Sequence, residues 1–479
     1  PSTEITEYIQ GNQLAAERKI HCRWSANEKT AMEAALGMSY MGKRAMVCMK
    51  HVGMNVCADA FVNSAMTGTN GGLVVVAADD PSMHSSQNEQ DSRFYGKFAM
   101  VPVFEPSSQQ EVYGMMKDAF ELSEKHMVPV VMRMVTRMAH SRAVVATGEI
   151  KDQNPMTYPS NPKDWVLLPA VARKRNERLV GLQKEFLAEA ENSKYNKFID
   201  GKDTSLGIIA CGIAYNYLME HFKDGCPYPV LKVSQYPLPV NKVKELAKKC
   251  DSLLILEDGQ PVVEEMLRGV LDQDNIIAAL GLKDEEVYPA CELVVPRPPA
   301  LCQGCGHRFM FEALNNVLKE YDNSRVFGDI GCYTLGYLPP YQALHSVVDM
   351  GASITMAKGA ADAGQFPSVA VIGDSTFTHS GMTGLLDAVN EKTNILVVIS
   401  DNLTTGMTGG QDSAGTGRLE SICRGLGVEP EHVRVVIPLP QHMEEMQNVI
   451  REELNYNGVS VVIPRRECIQ TARRHNKKK

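Results

Sequence analysis

The sequence predicts an α/β protein built from three doubly wound parallel-sheet domains, and three observations carry that expectation. Short apolar runs alternate with helix-length segments along the chain, and two breaks rich in proline or charge interrupt the alternation. The length of 479 residues also exceeds what one hydrophobic core organises, at about 100–200 residues per domain. The runs of strand character are 73–78, 128–133, 205–210, 253–257, 369–373 and Ile395–Ser400.

Taken in chain order, a helix rich in small residues begins near Asn27 in Trp24-Ser-Ala-Asn-Glu28-Lys-Thr-Ala-Met-Glu33, which sets Glu28 in its first turn. An acid there suits the positive end of any helix dipole, and it equally suits a carboxylate held against a ligand. Two loops, 49–55 with Lys50 and His51 and 79–93 with His84 and Arg93, follow apolar strands and are dense in polar side chains. Strand ends are where doubly wound sheets bind ligands, although a single histidine is as readily a structural one. Strand-like runs vanish over 151–203, where Pro, Lys, Asn and Arg cluster, and 171–193 reads as a charged helix facing solvent. That stretch is expected to be a connector. Val294-Val-Pro-Arg-Pro-Pro-Ala300 is too rich in proline for a helix interior or a central strand, so it marks the second break. The domains are therefore expected at 1–150, 204–296 and 297–479.

The last domain holds most of the chemistry. Two apolar strands there end in Gly373-Asp374-Ser375 and in Ser400-Asp401-Asn402. As parallel neighbours they would bring Asp374 and Asn402 to one sheet edge, where a carboxylate and an amide oxygen suit a hard Mg²⁺ ion. Gly381 and Gly384 would let backbone N–H groups approach a diphosphate at the following helix start. Strand-end Asp and Asn are also ordinary turn residues; their pairing from Gly373 to Asn402 is the informative part. Cys302-Gln-Gly-Cys305-Gly-His307 is a C-x-x-C, and Cys332 follows. Three thiols fall one short of a zinc or [4Fe–4S] site, and free buried cysteines are common.

Bulk properties exclude several classes. A net charge of -8 gives no reason to expect nucleic acid or an anionic membrane as partner, and the basic end from Arg473 reads as a solvated tail. No apolar run approaches the ~20 residues that span a bilayer, and no basic segment followed by an apolar one opens the chain. Twelve cysteines without a targeting signal read as reduced thiols, so the protein is expected in the cytoplasm.

The Gly-Asp-Ser and Asp-Asn pair resembles the thiamine diphosphate motif, usually GDG followed by NN at this spacing. Gly373-Asp-Ser-Thr-Phe-Thr-His-Ser-Gly381 and Asp401-Asn-Leu-Thr-Thr-Gly-Met-Thr-Gly-Gly-Gln411 are similar to the indolepyruvate:ferredoxin oxidoreductase alpha-subunit family, and the likeness runs from Ser2 to near Cys468. Ser375 and Asp401, which depart from the general motif, follow that family. The resemblance implies two thiamine-diphosphate-binding folds flanking a transketolase C-terminal-like domain. It implies Mg²⁺ held by the Asp374 and Asn402 side chains and the Thr404 carbonyl, with Gly373, Ser375, Gly406 and Met407 also at the cofactor. Glu28, in an Asn-Glu-Lys-x-Ala-x-Glu context, is implied as the carboxylate against the pyrimidine nitrogen, in preference to Glu33. Lys50 and His51 are placed near the cofactor and Arg93 near the substrate carboxylate.

In related pyruvate:ferredoxin oxidoreductases a C-x-G-C and a later cysteine hold an iron–sulfur cluster, which implies a [4Fe–4S] group on Cys302, Cys305 and Cys332. Its fourth ligand is open between Cys423, the better placed, and Cys468. The implied reaction is oxidative decarboxylation of an arylpyruvate such as indolepyruvate, with the acyl group passed to coenzyme A and electrons to ferredoxin. A smaller beta subunit is the implied partner, in a hetero-oligomer or dimer of heterodimers. The family also carries a Gly-rich strand and turn before Pro1 and a ferredoxin domain after Lys479, so truncation at both ends is expected. Two alternatives stay open: a non-oxidative thiamine-dependent decarboxylase, and a non-catalytic zinc-binding subunit.

Overall fold

A computed structural model describes residues 2–159, 162–270, 299–407 and 410–478. Three sheets organise them. The first contains β1 (Ala45–Lys50), β2 (Leu73–Asp79), β3 (Val103–Phe104) and β4 (Val130–Val135), mutually parallel in the order β1-β2-β4-β3. Its central strand β2, Leu-Val-Val-Val-Ala-Ala-Asp, is buried throughout, as a strand covered on both faces must be. A second, four-stranded sheet follows in the middle of the chain, ordered β5 (Lys197–Ile199), β7 (Val230–Val233), β6 (Gly207–Cys211), β9 (Leu253–Leu256). The short strand β8 (Gln235–Tyr236) leaves that region and pairs antiparallel with β3, closing the edge of the first sheet.

The third sheet is wholly parallel. Its strands are β10 (Arg325–Gly328), β11 (Ser346–Val347), β12 (Ser368–Gly373), β13 (Ile395–Ser400), β14 (Val433–Val436) and β15 (Val459–Pro464), in the order β11-β10-β12-β13-β15-β14. The strand order switches between β10, whose successor β11 lies on one side, and β12, whose successor β13 lies on the other, and such a switch opens a ligand crevice at the carboxyl ends of the strands.

The stretch 151–203 is less of a bare connector than expected. Its helix, Pro169–Glu191, packs Leu179, Phe186 and Ala190 inward, and Arg175 donates to the Met66 carbonyl at 3.0 Å. Its last residues form β5, a three-residue edge strand, Lys-Phe-Ile, antiparallel to β7 and too short for an apolar run to announce it. The expected break at 294–300 falls mostly outside the described residues. Among the described residues no helix is long and apolar enough to cross a membrane.

The first and third sheets meet through two helices, Glu28–Tyr40 and Ala352–Asp362. Glycine makes this crossing possible. A Cβ on Gly37 would stand 2.4 Å from the Met356 carbonyl oxygen, and one on Gly359 would stand 2.0 Å from that of Ala34. The small-residue pattern read after Glu28 is thus the seam along which the first and last thirds of one chain join.

Candidate cofactor site

The register Gly373↔Ser400 between β12 and β13 sets Asp374 and Asp401 side by side at one sheet end. Asp374 opens a helical run that passes through a π-helical turn, Phe377–Gly381, and continues as helix Met382–Asn390. Its carboxylate is buried and Oδ2 has no hydrogen-bond partner. Burial, and secondarily the Asp401 charge, push its acid up to about 7. A carboxylate so short of partners, at the positive end of a helical turn, fits a cation with bound phosphate oxygens.

Asp401 is already committed. Arg465 Nε donates to its Oδ2 at 2.6 Å and the Leu403 amide to its Oδ1 at 3.1 Å. Asn402 Oδ1 accepts from the Thr404 amide at 3.1 Å and keeps a second lone pair. Thr404 is buried with its hydroxyl on the Gln411 carbonyl at 2.9 Å, and Ser375 is half-buried one step into the Asp374 turn. Gly406 lies between the two functional groups of this edge: a Cβ there would stand 3.2 Å from Cys332 Sγ and 3.9 Å from Asn402 Nδ2. Met407 is exposed at the rim. A Cβ on Gly381 or Gly384 would meet Ile372, Ile354 and Thr355, so these glycines let their helix pack closely against Ala352–Asp362.

On the other side of the seam, Asn27 caps helix Glu28–Tyr40 through a reciprocal pair of bonds with Thr30, which fixes Glu28 in the first turn. Gly53, in helix His51–Thr67, lies against that carboxylate; a Cβ there would fall 2.5 Å from Glu28 Cγ. His51 heads the same helix. Its Nε2 donates to the Asn88 carbonyl at 3.1 Å, leaving a buried Nδ1 without a partner. Lys50 Nζ donates to the Ser85 carbonyl at 2.5 Å and lies 4.0 Å from Asp80. The helix that His51 heads is thereby brought against Glu28, while the Lys50 ammonium is held in the 80–85 loop.

Arg93 is committed elsewhere. Its guanidinium is 1% exposed and donates to Asp91, to Glu257 at 2.9 Å, to the Tyr236 hydroxyl at 3.2 Å and to the Gln260 carbonyl at 3.1 Å. These partners come from both the first and middle sheets, so Arg93 fastens one to the other and has no donor left for a substrate carboxylate.

The thiols form a second half of the edge. Cys302, Cys305, Cys332 and Cys468 line a cavity of ≈ 160 Å³ that Asn402 and Gly406 also border. Cys468 arrives there because β15 lies beside β13: the Cys468 amide donates to the Asn402 carbonyl at 3.0 Å. Burial, reinforced by the neighbouring thiols, pushes Cys332 up to about 11. Cys423, the expected fourth ligand, lies instead on helix Leu419–Gly425, fully buried within the apolar core. Its helix turns it inward, away from the strand ends. Among the described residues the groups of metal-binding donors within 4.8 Å of one another are His21–Asp362–Glu391 and Glu429–Glu431–His432, not the four thiols. Zinc at about 2.3 Å per sulfur demands a tighter set.

Comparison with known proteins places this geometry. Residues 1–177 match the thiamine-diphosphate-binding family of pyruvate flavodoxin/ferredoxin oxidoreductases, and 329–463 match the C-terminal TPP-binding domain of thiamine pyrophosphate enzymes. The indolepyruvate oxidoreductase subunit IorA of Archaeoglobus fulgidus is 38% identical over 519 aligned residues, covering 98% of this chain and 82% of the relative. Those of Pyrococcus abyssi and Methanothermobacter marburgensis are each 36% identical, over 98% of this chain and 81% and 82% of their own lengths. This chain belongs to the IorA family.

A structure described as that of a thiamin diphosphate-dependent enzyme from Mycobacterium smegmatis superposes with a TM-score of 0.50 at 15% identity, over 98% of this chain and 95% of that one. It shares the fold. Within the IorA frame, His307 is a residue that sequence reading passed over. It is buried, its Nδ1 lies 3.1 Å from Cys305 Sγ, and burial pulls its imidazole down to about 4, so it stands neutral beside the thiols. Its position two residues after the C-x-x-C was the available signal.

Proposed function

We propose that this chain is the thiamine-diphosphate-binding subunit of an enzyme that oxidatively decarboxylates an aryl 2-oxoacid of the indolepyruvate kind. The acyl group goes to coenzyme A and the electrons to ferredoxin, in assembly with a smaller beta subunit. The observation that carries the reading is the sharing of one sheet end by a carboxylate in need of a cation and a quartet of thiols. Asp374, Asn402 and the Thr404 carbonyl would hold Mg²⁺ and, through it, the diphosphate. When bound, thiamine diphosphate supplies the electron sink that lets a 2-oxoacid lose its carboxylate. Glu28 would exchange a proton with the pyrimidine ring nitrogen, and the unpartnered Nδ1 of His51 would offer a hydrogen-bonding group to substrate or cofactor.

Cys302, Cys305, Cys332 and Cys468 would hold a [4Fe–4S] cluster, whose iron cube keeps its sulfur ligands further apart than a single ion does. That spacing supports the oxidative reading over the zinc-binding one, and the adjacency of Gly406 to both Cys332 and Asn402 supports it over a non-oxidative decarboxylase, which has no use for an electron exit. Eleven described cysteines are free, which suits a reducing cytoplasm.

Anaerobic purification with iron and labile-sulfide analysis tests the reading. About four irons per chain are expected, lost in Cys468→Ser and retained in Cys423→Ser. An active enzyme without iron, or zinc in its place without thiamine diphosphate binding, would refute it.

A further inference from the structure

Lys29 follows Glu28 in the same helical turn, and its side chain crosses the seam between the two halves of the site. Its ammonium donates to Glu33 on its own helix and to Asp349, which stands between β11 and helix Ala352–Asp362. Glu33 receives a further bond from the Thr355 hydroxyl on that second helix. Burial pushes both acids upward and the Lys29 ammonium opposes it. Everything in this cluster is matched except one atom: Asp349 Oδ1 is buried and has no hydrogen-bond partner. An unmet buried acceptor is costly, and native proteins keep few of them without a reason.

The backbone next to Asp349 is pinned to the other functional edge. Ser380 Oγ donates to the Met350 carbonyl at 2.5 Å, and Gly351, at φ +97°, gives that hydroxyl room which a Cβ would take. Ser380 belongs to the helical run that Asp374 opens. Asp349 is thus fixed to Glu28's helix through Lys29 and to Asp374's run through Ser380. An aminopyrimidine offers a ring nitrogen, which a carboxyl can engage, and an exocyclic amino group, which needs an acceptor. Glu28 serves the first.

We propose that Asp349 serves the second, its free Oδ1 accepting a hydrogen bond from the exocyclic amino group of the pyrimidine while Lys29 holds the carboxylate in place. The inference rests on the thiamine diphosphate reading above. Calorimetric titration at saturating Mg²⁺, with thiamine diphosphate and with its 4′-desamino analogue, tests it in the full chain. The wild-type protein is expected to favour the parent ligand by about tenfold or more, Asp349→Ala to bind both alike, and Asp349→Asn, a neutral acceptor, to fall between. Variants that weaken both ligands by one factor and keep the wild-type ratio would overturn the proposal, because a merely structural Asp349 does that. Should the Ala variant fail to fold by circular dichroism, the Asn variant decides by the same ratio. Wild-type protein that binds both ligands equally overturns the inference and leaves the cofactor reading standing, whereas binding neither refutes that reading itself.

Discussion

Two charged clusters lie at strand ends of this chain, and they differ in what they leave unmatched. Around Arg93 and Arg133, Arg133 donates through Nε to Asp79 at 2.6 Å, through a terminal nitrogen to Glu105, and to the Asp258 carbonyl at 2.7 Å. None of Asp79, Asp91, Glu105 or Glu257 has a buried atom without a partner. At the cofactor edge Asp374 Oδ2, Asp349 Oδ1, His51 Nδ1 and His307 Nε2 all lack one. Polar density is common to both clusters. Of these two clusters only the second has unmet hydrogen-bonding capacity, which is what a ligand-binding edge requires.

The strongest way to break that comparison is Arg93→Ala. Removing one partner from a buried ion network leaves uncompensated carboxylates and costs about 3–5 kcal/mol of stability. Chemical denaturation should report a loss of that size, with thiamine diphosphate affinity of the folded fraction unchanged. If Arg93 bound the substrate carboxylate, stability would hold and KM for the 2-oxoacid would rise instead. Asp374→Asn is the converse experiment and its effect is smaller. It should weaken Mg²⁺-dependent thiamine diphosphate binding by about a hundredfold, roughly 2.7 kcal/mol, without lowering the stability of the cofactor-free protein, since it removes an acid that burial already penalises.

The same contrast explains what could be read from the residues alone. Gly373-Asp374 and Asp401-Asn402 were legible because two apolar strands ended in ligand-type residues, and their meeting needed only that the strands be parallel neighbours. The place of Glu28 in a first helical turn was legible through its cap and the small residues behind it. Arg93 was misplaced because a loop rich in charge looks the same whether its partners come from a ligand or from Glu257 and Tyr236, more than a hundred positions away. Cys468 was underrated for the opposite reason. It sits in no motif and reaches the thiols only because β15 inserts between β13 and β14, a topology that sequence spacing does not encode. An apolar strand, 459–464, ending four residues before a cysteine is the signal that favours it over Cys423, whose helix buries it.

The gentlest test titrates the cofactor edge. Asp374 and Asp329, the buried residue that follows β10 and accepts from the Ser353 hydroxyl at 2.7 Å, are each pushed up to about 7 by burial. Their folded values exceed the unfolded value near 3.9, so the native state binds more protons over the interval between them. Each therefore contributes stability that is fully present below about pH 4 and is lost as pH rises through 7, at up to about 1.4 kcal/mol per pH unit per group. The cofactor-free protein should lose stability from pH 5 to 8 in denaturation experiments, and Asp374→Asn should remove part of that slope. Saturating Mg²⁺ and thiamine diphosphate should also flatten it, because a cation on Asp374 replaces the proton, and their affinity should rise over the same interval. A slope that neither the substitution nor the ligands alter would mean that Asp374 is matched in solution. The distinction between the closed cluster around Arg93 and the open one at the strand ends would then fail at its central residue.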